Sequence, residues 1–215
     1  MDWSVVIAEA GDSLHGWEYP PDVLKAAVPL FDKRPVRAHP YLLKGRPQVK
    51  DGLPVFRHLP ESEAHMAPFL VKECIGTLAD PWMHDGAVLA RLRMLPSCEL
   101  SDDVLHTYGL SMQVGATVNR DAQKNPVSVH KIGFVESVDL VDTPALSGRI
   151  LGPWLSRQDA EKWHRAERNM VRFEEATQRY EEVERRQKII SNYEARLDAV
   201  VSRFERRMSA LAARI

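Results

Sequence analysis

The chain lacks most of the features that would announce a binding chemistry at once. It has only two cysteines, Cys74 and Cys98, in 215 residues and no CxxC spacing. That argues against a zinc site and against a disulfide framework, and the two thiols read as reduced core residues. No apolar run approaches the roughly 18 residues that a membrane helix needs. The opening stretch Met1-Asp2-Trp3-Ser4-Val5-Val6-Ile7-Ala8 has no basic n-region and is too short for a signal h-region, so a cytoplasmic protein is expected. An excess of either charge is missing too. With 29 Lys and Arg against 30 Asp and Glu, the formal net charge is -1. Nothing global then attracts the chain to nucleic acid or to an acidic membrane, and neither is expected as a partner. No metal and no cofactor is implied. Finally, glycine and proline disappear after Arg157 while charge becomes dense. This change in composition places a domain boundary near residue 150, with one domain over 1–152 and a helical segment over 153–215.

The first part is built of short β-rich runs broken by proline and glycine. Strands are expected at Trp3–Ala8, Val36–His39, Cys74–Leu78 and Ala87–Leu95, the last with the alternation of a half-buried strand. Two more are expected at Leu110–Asn119 and Val127–Val141, the second with a possible break at Gly133. Pro20-Pro21 open a helix that continues from Asp22 to Phe31, with Pro29 ending or distorting it. A short helix over Ser101–Tyr108 is capped by Ser101 and stopped by Gly109. Tyr41 to Pro68 has no period and reads as loop. In the second part, Ser156 followed three residues on by Asp159 signals a helix start. Apolar residues then recur at Phe173, Ala176, Tyr180, Val183, Ile190, Leu197, Val201, Phe204, Met208, Leu211 and Ile215, a heptad spacing interrupted by Gln187 and Glu194. The expected fold class is α+β: a mostly antiparallel, barrel-like sheet with a few helices, followed by a long coiled-coil-like C-terminal helix. That helix is expected to support self-association.

Three segments could carry chemistry. Gly109-Leu110-Ser111 puts a serine hydroxyl at the start of a strand of small and apolar residues. Val36-Arg37-Ala38-His39-Pro40 holds a histidine between a strand and a proline, and a neutral imidazole can accept a serine proton near pH 7. His58, His65 and His84 lie in loop-like stretches, and each could serve as the base instead. In Glu136-Ser137-Val138-Asp139-Leu140-Val141, strand alternation sets Ser137, Asp139 and Val141 on one face and Glu136 on the other. An acid within such an apolar run needs a partner, and a histidine is the partner that would make it useful.

The order of these segments resembles the phage prohead (capsid maturation) serine proteases, which are related in fold to the herpesvirus assemblins. The resemblance rests on His39, on Gly-Leu-Ser111 opening a strand, and on Ser-Val-Asp139-Leu-Val followed by Pro144-Ala145. Gly16-Trp17-Glu18-Tyr19-Pro20 and Arg34-Pro35-Val36 add to it, so it spans about residues 3–150. It implies a Ser–His pair with a variable third member: Ser111 as nucleophile, His39 as base and Asp139 as orienting acid, with Glu136 as the alternative acid. Where the phage branch has its acid, this chain has Ser137. Arg149 would fall near the assemblins' oxyanion loop. The implied function is a serine endopeptidase that cleaves scaffold and major capsid proteins, and itself, during phage head maturation. It would act in the bacterial cytoplasm inside the immature prohead. The alternatives are a non-catalytic scaffold or assembly protein that keeps the protease fold, and an unrelated cytoplasmic hydrolase.

Overall fold

The computed structural model describes residues 2–43, 46–58, 74–98, 100–118 and 127–212. The chain divides into two compact units between His164 and Arg165. In the first, strand β1 (Asp2–Glu9) is followed by the short β2 (Gly11–Asp12) and β3 (Trp17–Tyr19), helix α1 (Pro21–Ala27) with a 3-10 turn, and β4 (Pro35–Arg37). Four two-residue strands come next: β5 (Leu42–Leu43), β6 (Arg46–Pro47), β7 (Val49–Lys50) and β8 (Leu53–Pro54). The long strands are β9 (Cys74–His84), β10 (Ala87–Met94), β11 (Gly109–Val118) and β12 (Val127–Val141). The single turn α2 (Asp102–Leu105) precedes β11, and β13 (Gly148–Pro153) closes the series before α3 (Arg157–Ala212).

The strands run in the order β11-β13-β1-β10-β9-β4-β12, and β12 pairs back on β11. Seven strands therefore close into a barrel, and β3 and β2 extend from β12 as a ribbon. The expected α+β class is corrected by this closure. Strand dominates the first unit, where the longest helix ahead of α3 has 7 residues. Closure pairs part of the edge that an open sheet would expose, β13 meeting β11 only at Gly109 and Leu110. The expected coiled-coil-like helix is not supported either. Exposed apolar side chains occur on the anticipated seam, at Phe173 and Val183, and equally off it, at Val171, Ile189 and Tyr193. The heptad spacing is thus not matched by a single apolar seam along the described side chains.

The sequence of β1 accounts for its central place. Trp3 to Ala8 are all buried, which requires cover on both faces of the strand. Val5 and Ile7 point into the main core with Leu92, Leu110, Val138, Leu140 and the α1 residue Leu24. Val6 faces the other way, against Trp82, Leu89 and Ala160. Ala160 belongs to the first turn of α3, which is capped by Ser156 through its bond from the Asp159 N–H (3.2 Å). The compact unit thus runs beyond Gly152. Pro29 sits where α1 gives way to the 3-10 turn Val28–Phe31, and β12 passes Gly133 without a break.

Gly148 marks a close approach of backbone to backbone in the barrel. A Cβ there would lie 2.1 Å from the Leu110 carbonyl oxygen and 2.5 Å from that of Ile7. Gly148→Ala should therefore lower stability by about 3 kcal/mol through forced backbone separation. Gly133→Ala, whose Cβ would meet its nearest atom at 3.5 Å, should stay within about 0.5 kcal/mol of the wild type. Urea unfolding midpoints of the two variants measure the difference.

Candidate active site

Ser111 lies directly opposite Asp139 in the antiparallel register of β11 and β12. Leu110, Val138 and Leu140 fill the core, so alternation turns Ser111 and Asp139 to the outer face of the barrel wall. There they are still buried, at 5% and 0% exposure. An unpaired carboxylate so placed would be costly. Its partner is His58, whose Nδ1 lies 2.7 Å from Asp139 Oδ2. The other ring nitrogen, Nε2, lies 2.9 Å from Ser111 Oγ. A carboxylate only accepts, so it fixes the proton on Nδ1 and leaves the Nε2 lone pair toward the serine hydroxyl. Serine, imidazole and carboxylate form one chain of hydrogen bonds, the arrangement that lets a serine lose its proton as it attacks.

The histidine in this chain is His58, and the expected base His39 is corrected accordingly. The physical reason lies in the backbone around both residues. The Arg57 N–H donates to the His39 carbonyl (3.1 Å), the Tyr41 N–H to Val55 (2.7 Å) and the Asp142 N–H to Phe56 (3.4 Å). Tyr108, three residues ahead of Ser111, donates its hydroxyl to the Pro54 carbonyl and packs its ring edge-on against Phe56 (4.9 Å). Burial and the nearby Asp142 charge push this phenol above its ordinary value, which keeps it a donor. These bonds deliver His58 to the Ser111–Asp139 pair. His39 stands behind, almost fully buried. Burial holds its imidazole below the usual histidine range, and the charges of Arg37 and His58 add to this while Asp139 opposes it. His39 is therefore a neutral ring beside the carboxylate.

The remaining expectations fall as follows. Glu136 is the extra residue of a β-bulge, since Gln113 pairs with Ser137 and Val114 with Val135. The bulge turns it toward Arg37 (3.8 Å), away from His58. Ser137 shares the Asp139 face and donates to Gln113 Oε1 (3.5 Å). Arg149 is corrected as an oxyanion donor: its Nη1 binds Glu9 (3.0 Å) and the Ser147 carbonyl (2.8 Å), and it does not line the cleft at Ser111. His84 is engaged with Asp85 and Glu161, and His65 lies outside the described residues. His58 was hidden in sequence because its stretch has no period. The signal that could have found it is the apolar pair Val55-Phe56, both buried, immediately ahead of Arg57-His58.

Ser111 and His58 open on a cleft of about 430 Å³, walled by Trp17, Tyr19, Met112, Val114, Ala145 and Leu146. Among the described residues, no Asp, Glu, Lys or Arg lines it. Among the described residues, no group of three or more His, Cys, Asp or Glu could hold a metal ion, and no helix is long and apolar enough to cross a membrane. Comparison with family models, with curated proteins and with solved structures finds no match to this chain.

Because Asp139 alone fixes the His58 tautomer, Asp139→Asn should slow reaction of Ser111 with a fluorophosphonate by about 10³- to 10⁴-fold. Glu136→Gln, which removes only a part-exposed ion pair, should change the rate less than about threefold. Labelling kinetics followed by intact-protein mass spectrometry compare the two.

Proposed function

We propose that the protein is a serine endopeptidase in which Ser111 is the nucleophile, His58 the general base and Asp139 the orienting acid. The observation that carries this reading is the Ser111–His58–Asp139 hydrogen-bond chain at the mouth of a cleft walled by Trp17, Tyr19, Met112 and Leu146. His58 would take the Ser111 proton as Oγ attacks a carbonyl carbon. It would return that proton to the leaving amine, and water would then release the acyl group by the same route.

A polypeptide substrate is favoured by the backbone beside the nucleophile. β13 covers β11 only at Gly109 and Leu110. From Ser111 to Val118, β11 pairs among the described residues on the β12 side alone. The opposite edge offers N–H and C=O groups to an extended chain laid beside Ser111, the mode by which a peptide adds a strand to a sheet. The cleft wall of Trp17, Tyr19, Met112 and Leu146 suits an apolar side chain near the scissile bond. The resemblance in segment order to the phage prohead proteases supports scaffold and major capsid proteins as the substrates, with cleavage inside the immature head.

The test is co-expression with phage major capsid and scaffold proteins, followed by mass spectrometry of the products. Ser111→Ala and His58→Ala should each reduce cleavage by about 10³-fold or more, while His39→Ala keeps most of it. Full cleavage by His58→Ala, with loss in His39→Ala, would overturn the assignment of the base. Undiminished cleavage by Ser111→Ala would overturn the enzyme.

A further inference from the structure

The loop that walls the cleft is held from behind by residues that the hydrolytic chemistry does not use. Ala145 and Leu146 line the cleft. The Leu146 carbonyl accepts the Glu9 N–H (2.9 Å), and the Ala145 carbonyl accepts the Leu14 N–H (3.2 Å). Ser147 follows with φ of 53°, a left-handed conformation that a non-glycine residue adopts only when its surroundings impose it. What imposes it here is Arg149, whose Nη1 donates to the Ser147 carbonyl (2.8 Å) and to Glu9 Oε1 (3.0 Å). Glu9 is in turn met by His164, fully buried in the first turns of α3, with Nε2 donating to the same Oε1 at 3.0 Å. Burial alone would raise the Glu9 carboxyl. The hydrogen bond from His164 and the charge and hydrogen bond of Arg149 outweigh it and hold Glu9 below its ordinary value, hence ionised.

From this geometry we infer that His164 is a positioning residue: through Glu9 and Arg149 it holds the strained Ser147 loop, so docking of the first turns of α3 sets the shape of the substrate cleft. The inference rests on the hydrolase reading for its effect on substrate, though not for the coupling itself. Two elements far apart in sequence meet at Glu9, whose backbone grips the loop while its side chain grips the helix. His84 packs edge-on against His164 (5.7 Å) and faces Glu161 of the same helix (3.9 Å), so the docked turns are also gripped at the β9–β10 corner. A loosened His164 would free Arg149 to swing with Glu9, and Ser147 would relax toward ordinary backbone. The Ala145–Leu146 wall would move with it, while Ser111, His58 and Asp139, fixed by β11, β12 and the 54–58 segment, would not.

The experiment uses the full-length chain and two probes. Diisopropyl fluorophosphate is small and reports on Ser111 and its base; a fluorophosphonate with a long apolar tail must also occupy the cleft. His164→Ala should raise the inhibition constant of the tailed probe about fivefold, with its limiting inactivation rate and the rate with the small probe each within about twofold of wild type. Amide exchange at 146–148 should quicken in the same variant. His164→Gln, which restores a donor near Glu9, should recover both. Arg149→Met releases Ser147 directly at a part-exposed site and should reproduce the effect even if His164→Ala folds poorly. Unchanged tailed-probe binding and unchanged exchange in both variants would overturn the inference, as would a parallel fall with both probes, which signals mere loss of folded protein. A wild-type chain that reacts with neither probe would overturn the hydrolase reading instead, and the exchange at 146–148 would then decide the coupling alone.

Discussion

The antiparallel register that sets Ser111 opposite Asp139 is the constraint on which the site depends. Side chains alternate along a strand, so a slip of one residue would drive Asp139 into the core and turn Leu140 outward, exchanging an acid for an apolar group at every point. The core prevents this. Leu110, Val138 and Leu140 are fully buried, and each would have to be exposed to shift the pairing. The barrel thus places Ser111 and Asp139 together by strand pairing and core packing.

The histidine is placed differently. It arrives on a segment with almost no regular structure, held by backbone bonds from Arg57, Tyr41 and Asp142 and by the Tyr108 hydroxyl. The buried Asp139 carboxylate supplies the reason for that segment to stay. Removing the imidazole would leave the charge without its partner in a dry site, a loss far larger than that of an exposed ion pair. His58 and Asp139 therefore hold each other in place, and burial lowers the His39 pKa behind them.

How much of this could be read from the residues follows from where each one sits. Ser111 and Asp139 stood out because they interrupt apolar, alternating strands that the fold keeps over nearly the same limits. His58 did not, because nothing local fixes its position: every bond that holds its segment comes from another part of the chain. The resemblance pointed to His39, and the structure puts that residue one layer away, across the same carboxylate. Arg149 was read as belonging to a loop, but it lies on β13, whose Gly-Arg-Ile-Leu-Gly-Pro sequence hides a strand. Missing β13 also concealed how the barrel closes. The class was misjudged for a related reason: the ribbon strands at 11–19 and the pairs over 42–54 are too short to show a period. In α3, spacing alone suggested a seam that the described side chains, exposed at Val171, Ile189 and Tyr193 as well as at Phe173 and Val183, do not form.

The separations along the chain also order the events of folding. Ser111 and Asp139 belong to adjacent paired strands, β11 and β12, and lie nearer each other along the chain than either does to His58, so their loop costs less to close. His58 must be brought to them across 53 and 81 residues, and the barrel cannot close until β13 has been synthesised and paired with β1. The Ser111–Asp139 pair can thus form while the segment that carries His58 is still undocked. Until it docks, the Ser111 hydroxyl has no imidazole beside it, so the reactivity proposed for this serine depends on a completed fold.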